Sequence, residues 1–366
     1  MRKSFFNGHN FADFKDEIKM DKLLIIISGI GTGGHYFPAA VVADEFKKNK
    51  IETLFLVRKN YPEEEIAKKY DLKTFYIEPK PYYGKSILNK ITALWKVVES
   101  MSRLSKITKK CAGISFGGFG SLPLILSCMI NNQPFFLFEP NCIPGRTTRM
   151  FARYARKIFL GLPTAIDLKG DTLITGIPVR QEFKKFATRD TFSKNKTILF
   201  MGGSQGAKRL NEMAIRLQKV LPQEYRIIII SGKRDFDWVN REKDFRTEVI
   251  SFTPEPWNII AEADLVVSRA GALSGYELLV MKKSVIFIPF PYAVDNHQYY
   301  NAEYFAKTPN VRIILEKDLN EELLLKLIEE LINNLAKVES IEYNIGLNAE
   351  KIIVETVLKE LICKRF

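Results

Sequence analysis

Histidine and cysteine are scarce in this chain of 366 residues, which has only His9, His35 and His297 and only Cys111, Cys128, Cys142 and Cys363. The cysteines are scattered and show no C-x-x-C spacing. That excludes a zinc ribbon and a disulfide framework, and reads as reduced thiols in a cytosolic protein. With so few histidines a His-rich metal centre is not expected, and no metal is called for. Long apolar runs are missing as well. The best stretch, SLPLILSCMI (121–130), is too short to span a bilayer and contains Pro123. The first twenty residues are polar and mixed in charge, without the apolar core of a secretory signal, so a cytoplasmic location, at most attached to a membrane surface, is expected. Low-complexity tracts and solenoid repeats are absent too. Acidic residues number 42 against 55 basic ones, leaving a net charge of +13. That balance points to an anionic partner: nucleic acid, an acidic membrane surface or a phosphorylated substrate.

What is present is a globular composition, 46% hydrophobic and 27% charged. The length suggests two domains. Strand-like and helix-like segments alternate, the pattern of parallel sheets with crossover helices. LLIIIS (23–28) reads as a buried strand, followed by a glycine loop and a helix over about 38–49, with Pro38 in its first turn. Strands follow at 51–57, 113–116, 134–139, 157–161 and 172–176. The polar stretch 176–197 reads as a linker, and the pattern then restarts with KTILFMGGSQGAKRLNEMAIRLQKVL (196–221) and strands at 225–231, 248–252, 263–269 and 284–291. Helices are expected from about 321 and over about 347–362. The expected organisation is an extension over 1–20, α/β domains over 21–180 and 181–345, and a terminal helix over 346–366. Met20 precedes the first strand, so residues 1–19 are either an extension or a mis-assigned start.

SGIGTGGHYFPA (28–39) spells G-x-G-x-x-G, but a nicotinamide site needs an acid at the end of the next strand, and this strand ends in Arg58-Lys59. An NADP site could use the arginine, yet nothing else supports hydride chemistry. The glycines serve either close strand–helix packing or a backbone loop facing a cleft, with His35 directly after it. GGSQGAKRLN (202–211) repeats the arrangement in the second half, bringing Ser204 and Gln205. In SRAGALSGYELL (268–279) a helix opening at Ala272-Leu273-Ser274 offers free N–H groups to a diphosphate. Glu277, one turn in, suits two ribose hydroxyls or is an ordinary solvated carboxylate. PFPYAVDNHQYYNAEYF (289–305) clusters Asp295, Asn296, His297, Gln298 and Asn301, as solvated loops and sugar-nucleotide pockets do.

Taken in order, GTGGHYFPA, GGFGSLP, EPNCIPG, TGIPVR, GGSQGAKRLN, SRAGALSGYEL and PYAVDNHQYYNA resemble the MurG family, the UDP-N-acetylglucosamine:lipid I N-acetylglucosaminyltransferases of peptidoglycan synthesis. The resemblance spans roughly residues 23 to 305. It implies a GT-B fold, two Rossmann-like domains with parallel sheets facing across a cleft and a C-terminal helix crossing back to the first domain. It also implies inverting transfer of GlcNAc from UDP-GlcNAc to the MurNAc 4-hydroxyl of lipid I, without cofactor or metal. By motif, Thr32, Gly33 and Gly34 would lie by the donor sugar and acceptor diphosphate, and Asn141 by the transferred sugar. Arg180 and Ser204 would meet the nucleotide diphosphate, and Thr253 would stand beside uracil. Ala272, Leu273, Ser274, Gly275, Tyr276 and Glu277 would cradle the nucleotide, and Gln298 would approach the sugar hydroxyls. The family's HEQN reads Phe138-Glu139-Pro140-Asn141 here.

Inverting transfer needs a base within hydrogen-bond reach of the acceptor hydroxyl. His35 is the first candidate, as base or as acceptor-positioning residue, because imidazole titrates near neutral pH. Glu139 is the second. A lipid acceptor also gives meaning to residues 85–110, where Ile87, Ile91, Leu94, Trp95, Val98 and Met101 recur at helical spacing among Lys85, Lys90, Lys96, Arg103 and Lys106. That pattern fits a basic amphipathic helix on an anionic membrane, and equally a packed helix with a solvated basic face. A peripheral place on the cytoplasmic membrane face follows. Other classes are a GT-B UDP-sugar transferase with another glycolipid acceptor, an NADP oxidoreductase, and a nucleic-acid binder. The last predicts a basic and aromatic exposed face rather than small polar residues at strand ends.

Overall fold

The structure is a computed structural model that describes residues 23–79, 87–186, 196–203, 206–334 and 346–363; the side chains of 87–91 and 363 lie outside that description. Residues 1–22 lie outside it as well, so the expectation for residues 1–19 has no structural counterpart.

Two parallel sheets organise the chain. The first has seven strands in the order β3-β2-β1-β4-β5-β6-β7, with β1 Leu24–Ser28, β2 Glu52–Val57, β3 Thr74–Tyr76, β4 Cys111–Ser115, β5 Phe135–Glu139, β6 Lys157–Leu160 and β7 Thr172–Ile174. The second has six in the order β10-β9-β8-β11-β12-β13, with β8 Lys196–Met201, β9 Tyr225–Ile230, β10 Thr247–Ile250, β11 Leu265–Ser268, β12 Ser284–Phe287 and β13 Val311–Ile313. In each sheet the first strand of the half is central: Ile26 of β1 sits between Leu54 and Gly113, and Phe200 of β8 between Ile229 and Val267. Such strands are covered on both faces, which is why they read as unbroken apolar runs. The short strands β3 and β13 lack that signature and were not expected from the sequence.

Helix α1 (Gly33–Lys48) begins five residues earlier than the sequence pattern suggests. The glycine loop itself forms its first turn, and Pro38 sits inside the helix, where its missing N–H releases the carbonyl of Gly34. The linker region carries a short helix, Gln181–Phe186, while residues 187–195 lie outside the described part. The last helix, Ala349–Cys363, packs along α1, returning the chain to the first domain. One apolar cluster is continuous across this junction: Phe46, Phe183, Trp257, Tyr276, Ile353 and Val357 belong to it together. The two domains therefore share core rather than merely touching.

Candidate functional site

The loops after β1, β5, β8, β10, β11 and β12 converge on one cleft of about 1040 Å³ between the domains. This is where open parallel sheets place ligands, at the carboxyl ends of their strands.

On the first-domain side, Thr32 caps α1 and Gly33 and Gly34 form its first turn; all three line the cleft. The fingerprint glycines also serve packing. A Cβ on Gly31 would stand 2.5 Å from Nδ1 of His35, and one on Gly29 2.5 Å from Cβ of Ala39. His35 occupies the third helical position of a capping box. Its Nδ1 accepts the N–H of Thr32 at 3.1 Å and lies 3.2 Å from the Thr32 hydroxyl. The ring's proton is therefore assigned to Nε2, which borders Gly117 and Gly118, both in left-handed conformation with φ of 83° and 73°. Burial, with a smaller contribution from His297, pushes His35 down to about 4. The expectation that this imidazole titrates near neutral pH is thus corrected: half-buried and with Nδ1 engaged, it stays neutral and presents a donor.

Glu139 ends β5 and is 3% exposed. Its Oε1 accepts the backbone N–H and side-chain amide of Asn141, each at 3.1 Å, and its Oε2 accepts Gly145 N–H and the Thr148 hydroxyl, each at 2.8 Å. Burial pushes its carboxyl up, and these four donors oppose that. Glu139 is not among the cleft-lining residues, so the structure does not place it as a base; it folds the 139–148 loop. That loop presents Asn141, whose Oδ1 accepts the amide of Asn301 from the second domain at 3.0 Å. Asn301 also accepts Cys142 N–H at 3.0 Å. It is a cross-cleft bridge that the sequence showed only as one polar residue among several.

Arg180 leaves the first domain and is 5% exposed. Its guanidinium lies 4.1 Å from the Phe37 ring, 4.8 Å from Phe183 and 5.0 Å from Trp257. Nη2 donates to Oε1 of Glu277 at 3.1 Å, while Nε is buried without a partner among the described residues. Burial raises the Glu277 carboxyl and Arg180 pulls it back. Glu277 is therefore not a solvated first-turn carboxylate but half of a buried ion pair.

The helix Ala272–Val280 opens on the cleft with Ala272, Leu273 and Ser274. Gly275 and Tyr276 depart from expectation, since they do not line it. Gly275 closes on the Phe305 ring, 2.3 Å from where a Cβ would be, and the Tyr276 hydroxyl donates to Gly346 O at 3.0 Å. A helix turns its successive residues through about 100°, so the six consecutive positions 272–277 cannot all face one ligand. Thr253 lines the cleft and its hydroxyl accepts Glu255 N–H at 3.1 Å. Beside it Phe252, 49% exposed, offers a ring to the cleft. An aromatic at the end of the EVISF strand was the available signal for it. Gln298 lines the cleft, its Oε1 accepting Phe290 N–H at 3.0 Å. Ser204 lies outside the described residues; its neighbours Gly203 and Gly206 have φ of 78° and 73°. Arg149 and Asp295 form an ion pair between the domains at the cleft.

Away from the cleft, the helix Ile87–Ser105 buries Ala93, Val97 and Leu104 and exposes Leu94, Trp95 and Val98, Trp95 at 68%. The side chains of Ile87 and Ile91 lie outside the described residues. No helix among the described residues is long and apolar enough to cross a membrane, and among them no three His, Cys, Asp or Glu gather as a metal site.

Residues 25–160 match the model for the glycosyltransferase family 28 N-terminal domain, and residues 197–356 that for the glycosyltransferase family 28 C-terminal domain. The chain is 33% identical over 348 residues to the UDP-N-acetylglucosamine–N-acetylmuramyl-(pentapeptide) pyrophosphoryl-undecaprenol N-acetylglucosamine transferase of Sulfurihydrogenibium sp., covering 92% of this chain and 98% of that one. To the enzyme of the same name from Coxiella burnetii it is 30% identical over 359 residues, covering 95% and 99%. Among solved structures, Acinetobacter baumannii MurG matches with a TM-score of 0.70 at 24% identity, covering 92% of this chain and 99% of that one. The glycotransferase of kitacinnamycin matches at 0.69 and 13%, covering 93% and 99%. These two likenesses bear on the fold alone.

Proposed function

From the premise that the chain belongs to glycosyltransferase family 28, among the UDP-N-acetylglucosamine–N-acetylmuramyl-(pentapeptide) pyrophosphoryl-undecaprenol N-acetylglucosamine transferases, we infer how its cleft works. The enzyme transfers N-acetylglucosamine from UDP-GlcNAc to the lipid-linked N-acetylmuramyl acceptor. The finer reading, inverting transfer to the 4-hydroxyl, divides the labour between residues 21–180 on the acceptor side and 181–345 on the donor side.

The observation that carries this division is the buried Arg180–Glu277 pair at the junction of the domains. Arg180 takes only Oε1 of Glu277, leaving Oε2 for ribose hydroxyls, and the unpartnered Nε of Arg180 awaits an acceptor such as a diphosphate oxygen. The uracil rests on Phe252 and Thr253. The diphosphate lies between the Gly203–Gly206 turn, with Ser204, and the helix openings at Ala272 and Lys208, where free N–H groups stabilise the charge that develops on the leaving group. Asn141 and Gln298 hold the sugar. Thr32, Gly33, Gly34 and the Nε2–H of His35 hold the acceptor. The direct test supplies labelled UDP-GlcNAc with a lipid I analogue. The expected product is the labelled lipid-linked disaccharide with release of UDP. Transfer to another glycolipid and none to the N-acetylmuramyl acceptor would overturn the acceptor assignment.

We also propose that one helix face binds the membrane surface. Leu94, Trp95 and Val98 stand exposed on one helix near Arg103, Lys106, Lys109 and Lys110, all solvent-facing. Aromatic and aliphatic groups flanked by cations bind anionic lipid by burial plus charge, each cation contributing about 1 kcal/mol near the surface. Trp95→Glu with Leu94→Glu is expected to reduce binding to phosphatidylglycerol vesicles by about 10-fold or more, since two apolar anchors become like charges. Transfer to a short-chain soluble acceptor should persist. Vesicle sedimentation at two salt concentrations measures this, and unchanged binding would discard the patch. The peripheral place on the cytoplasmic membrane face rests on the same patch.

A further inference from the structure

Inverting transfer needs a base at the acceptor side, and neither residue first considered for that role is arranged to serve. His35 has Nδ1 committed to Thr32 N–H, and Glu139 is enclosed by four donors. Four carboxylates line the cleft among the described residues: Glu212, Glu277, Asp295 and Glu316. Glu277 is buried against Arg180 at 3.1 Å, and Glu316 against Arg269 at 2.5 Å. Glu212 lies on the helix that opens beside the Gly203–Gly206 turn, within 3.6 Å of Arg209 and 3.9 Å of Lys208. All three are on the donor side or locked to a buried cation.

Asp295, although also in the second domain, pairs instead with an exposed cation of the first domain. It sits on the loop that crosses toward the first domain, its carboxyl is 38% exposed, and its partner is Arg149 on the helix Arg146–Phe151, itself 36% exposed. The backbone there is held out of the ordinary range: Asp295 has φ 52° and the next residue, Asn296, φ 54°. Two consecutive non-glycine residues in the left-handed region persist only where the surroundings impose them, and such strain gathers at functional sites. The constraint comes from Asn296 N–H bonded to Ala293 O at 2.8 Å and from the His297 ring, whose Nδ1 meets Val294 O at 2.9 Å. The titratable and charged groups of the neighbouring elements at this end of the cleft are His35 on α1, Arg146 and Arg149 on the helix Arg146–Phe151, and His297 beside Asp295 itself. His297 lies close enough to His35 to influence its charge.

We propose that Asp295 is the general base of the transfer, resting on Arg149 until an anionic acceptor draws that cation away. The inference rests on the glycosyl-transfer reading above. As the acceptor oxygen bonds to the anomeric carbon of the sugar, its proton passes to a carboxylate oxygen of Asp295. The bond from that carbon to the β-phosphate oxygen breaks, and its electron pair leaves on UDP. The proton is later released to water. An exposed ion pair is weak enough to exchange in this way.

The test compares Asp295→Asn, Asp295→Glu and Arg149→Ala with the unaltered chain, using UDP-GlcNAc and a lipid I analogue across pH. Asparagine tolerates the left-handed backbone, so the first variant keeps the loop. Asp295→Asn is expected to lower kcat by about 100-fold or more and to abolish the acid limb of its pH profile. UDP-GlcNAc affinity should stay within about threefold, because the loss is confined to the transition state. Asp295→Glu should recover part of the rate. Arg149→Ala breaks the same ion pair but leaves the carboxylate, so at saturating acceptor it keeps the acid limb. A kcat for Asp295→Asn near that of the unaltered chain, or an acid limb that persists in it, overturns the proposal. So does a fall in Arg149→Ala as deep as in Asp295→Asn, which would make the pair a strut between domains. Transfer by the unaltered chain in the same assay tests the underlying reading separately.

Discussion

Arg180→Ala is expected to weaken UDP-GlcNAc binding by about 100-fold or more and to destabilise the fold at the same time, because breaking a buried ion pair costs about 3–5 kcal/mol. Two losses coincide. The guanidinium leaves a space among the rings of Phe37, Phe183 and Trp257, which come from three different elements at the junction of the domains. Glu277 also loses the cation that opposes its burial, so its carboxyl is pushed up further. The double variant Arg180→Leu with Glu277→Leu separates the two losses. Removing both charges restores the melting temperature in large part, since a buried pair is often replaceable by apolar packing. It should not restore nucleotide affinity. Calorimetric titration with UDP alongside thermal melts measures both, and unchanged UDP affinity in Arg180→Ala would remove this pair from the donor site.

His35→Ala should lower kcat/KM for the acceptor by about 100-fold, the scale of a misplaced or missing positioning group. The side chain holds the start of α1 through Thr32 and supplies the Nε2–H at the Gly117–Gly118 loop. The loss of the cap alone is about 1 kcal/mol. A neutral donor predicts a specific pH behaviour. The imidazole is pushed from 6.5 down to about 4 in the folded chain, so protons bind the unfolded chain first as pH falls. Its contribution to stability is present above 6.5 and is lost as pH drops toward 4. The unaltered chain should therefore lose more thermal stability across that window than the His35→Ala chain does. The rate profile above pH 6 should keep its shape in the variant, being about two pH units above the titration of this ring. Melting curves that run parallel from neutral to acid pH, or a shifted alkaline rate profile, would contradict the neutral-donor assignment.

Much of the fold was legible because central parallel strands announce themselves. LLIIIS and KTILFM can only be buried on both faces, and the glycine turns after them mark where helices begin. The sequence pattern places the beginning of α1 too late because Pro38 looks like a first-turn residue, whereas Gly33 and Gly34 ahead of it already form the first turn. The short edge strands Thr74–Tyr76 and Val311–Ile313 carry little pattern, having few residues and partial exposure. On the apolar helix Ile87–Ser105, periodicity showed that it was amphipathic but not which face was which. The stripe holding Leu94 and Trp95 faces outward, and Ala93, Val97 and Leu104 face the core.

The sequence by itself determined the two-sheet plan, the placing of small residues at strand ends and the family to which the ordered motifs belong. These depend on local spacing: period, turn chemistry and helix starts are set by residues a few positions apart. The protonation state and orientation of the charged groups were decided only by the tertiary structure. Arg180 meets Glu277 across 97 positions, Arg149 meets Asp295 across 146, and Asn301 reaches Asn141 across 160. A carboxylate's role as pair, scaffold or base follows from its burial and from the donors that surround it. Neither is written near it in the chain, so Glu139, a candidate base by its motif, proves to be a buried scaffold of its own loop.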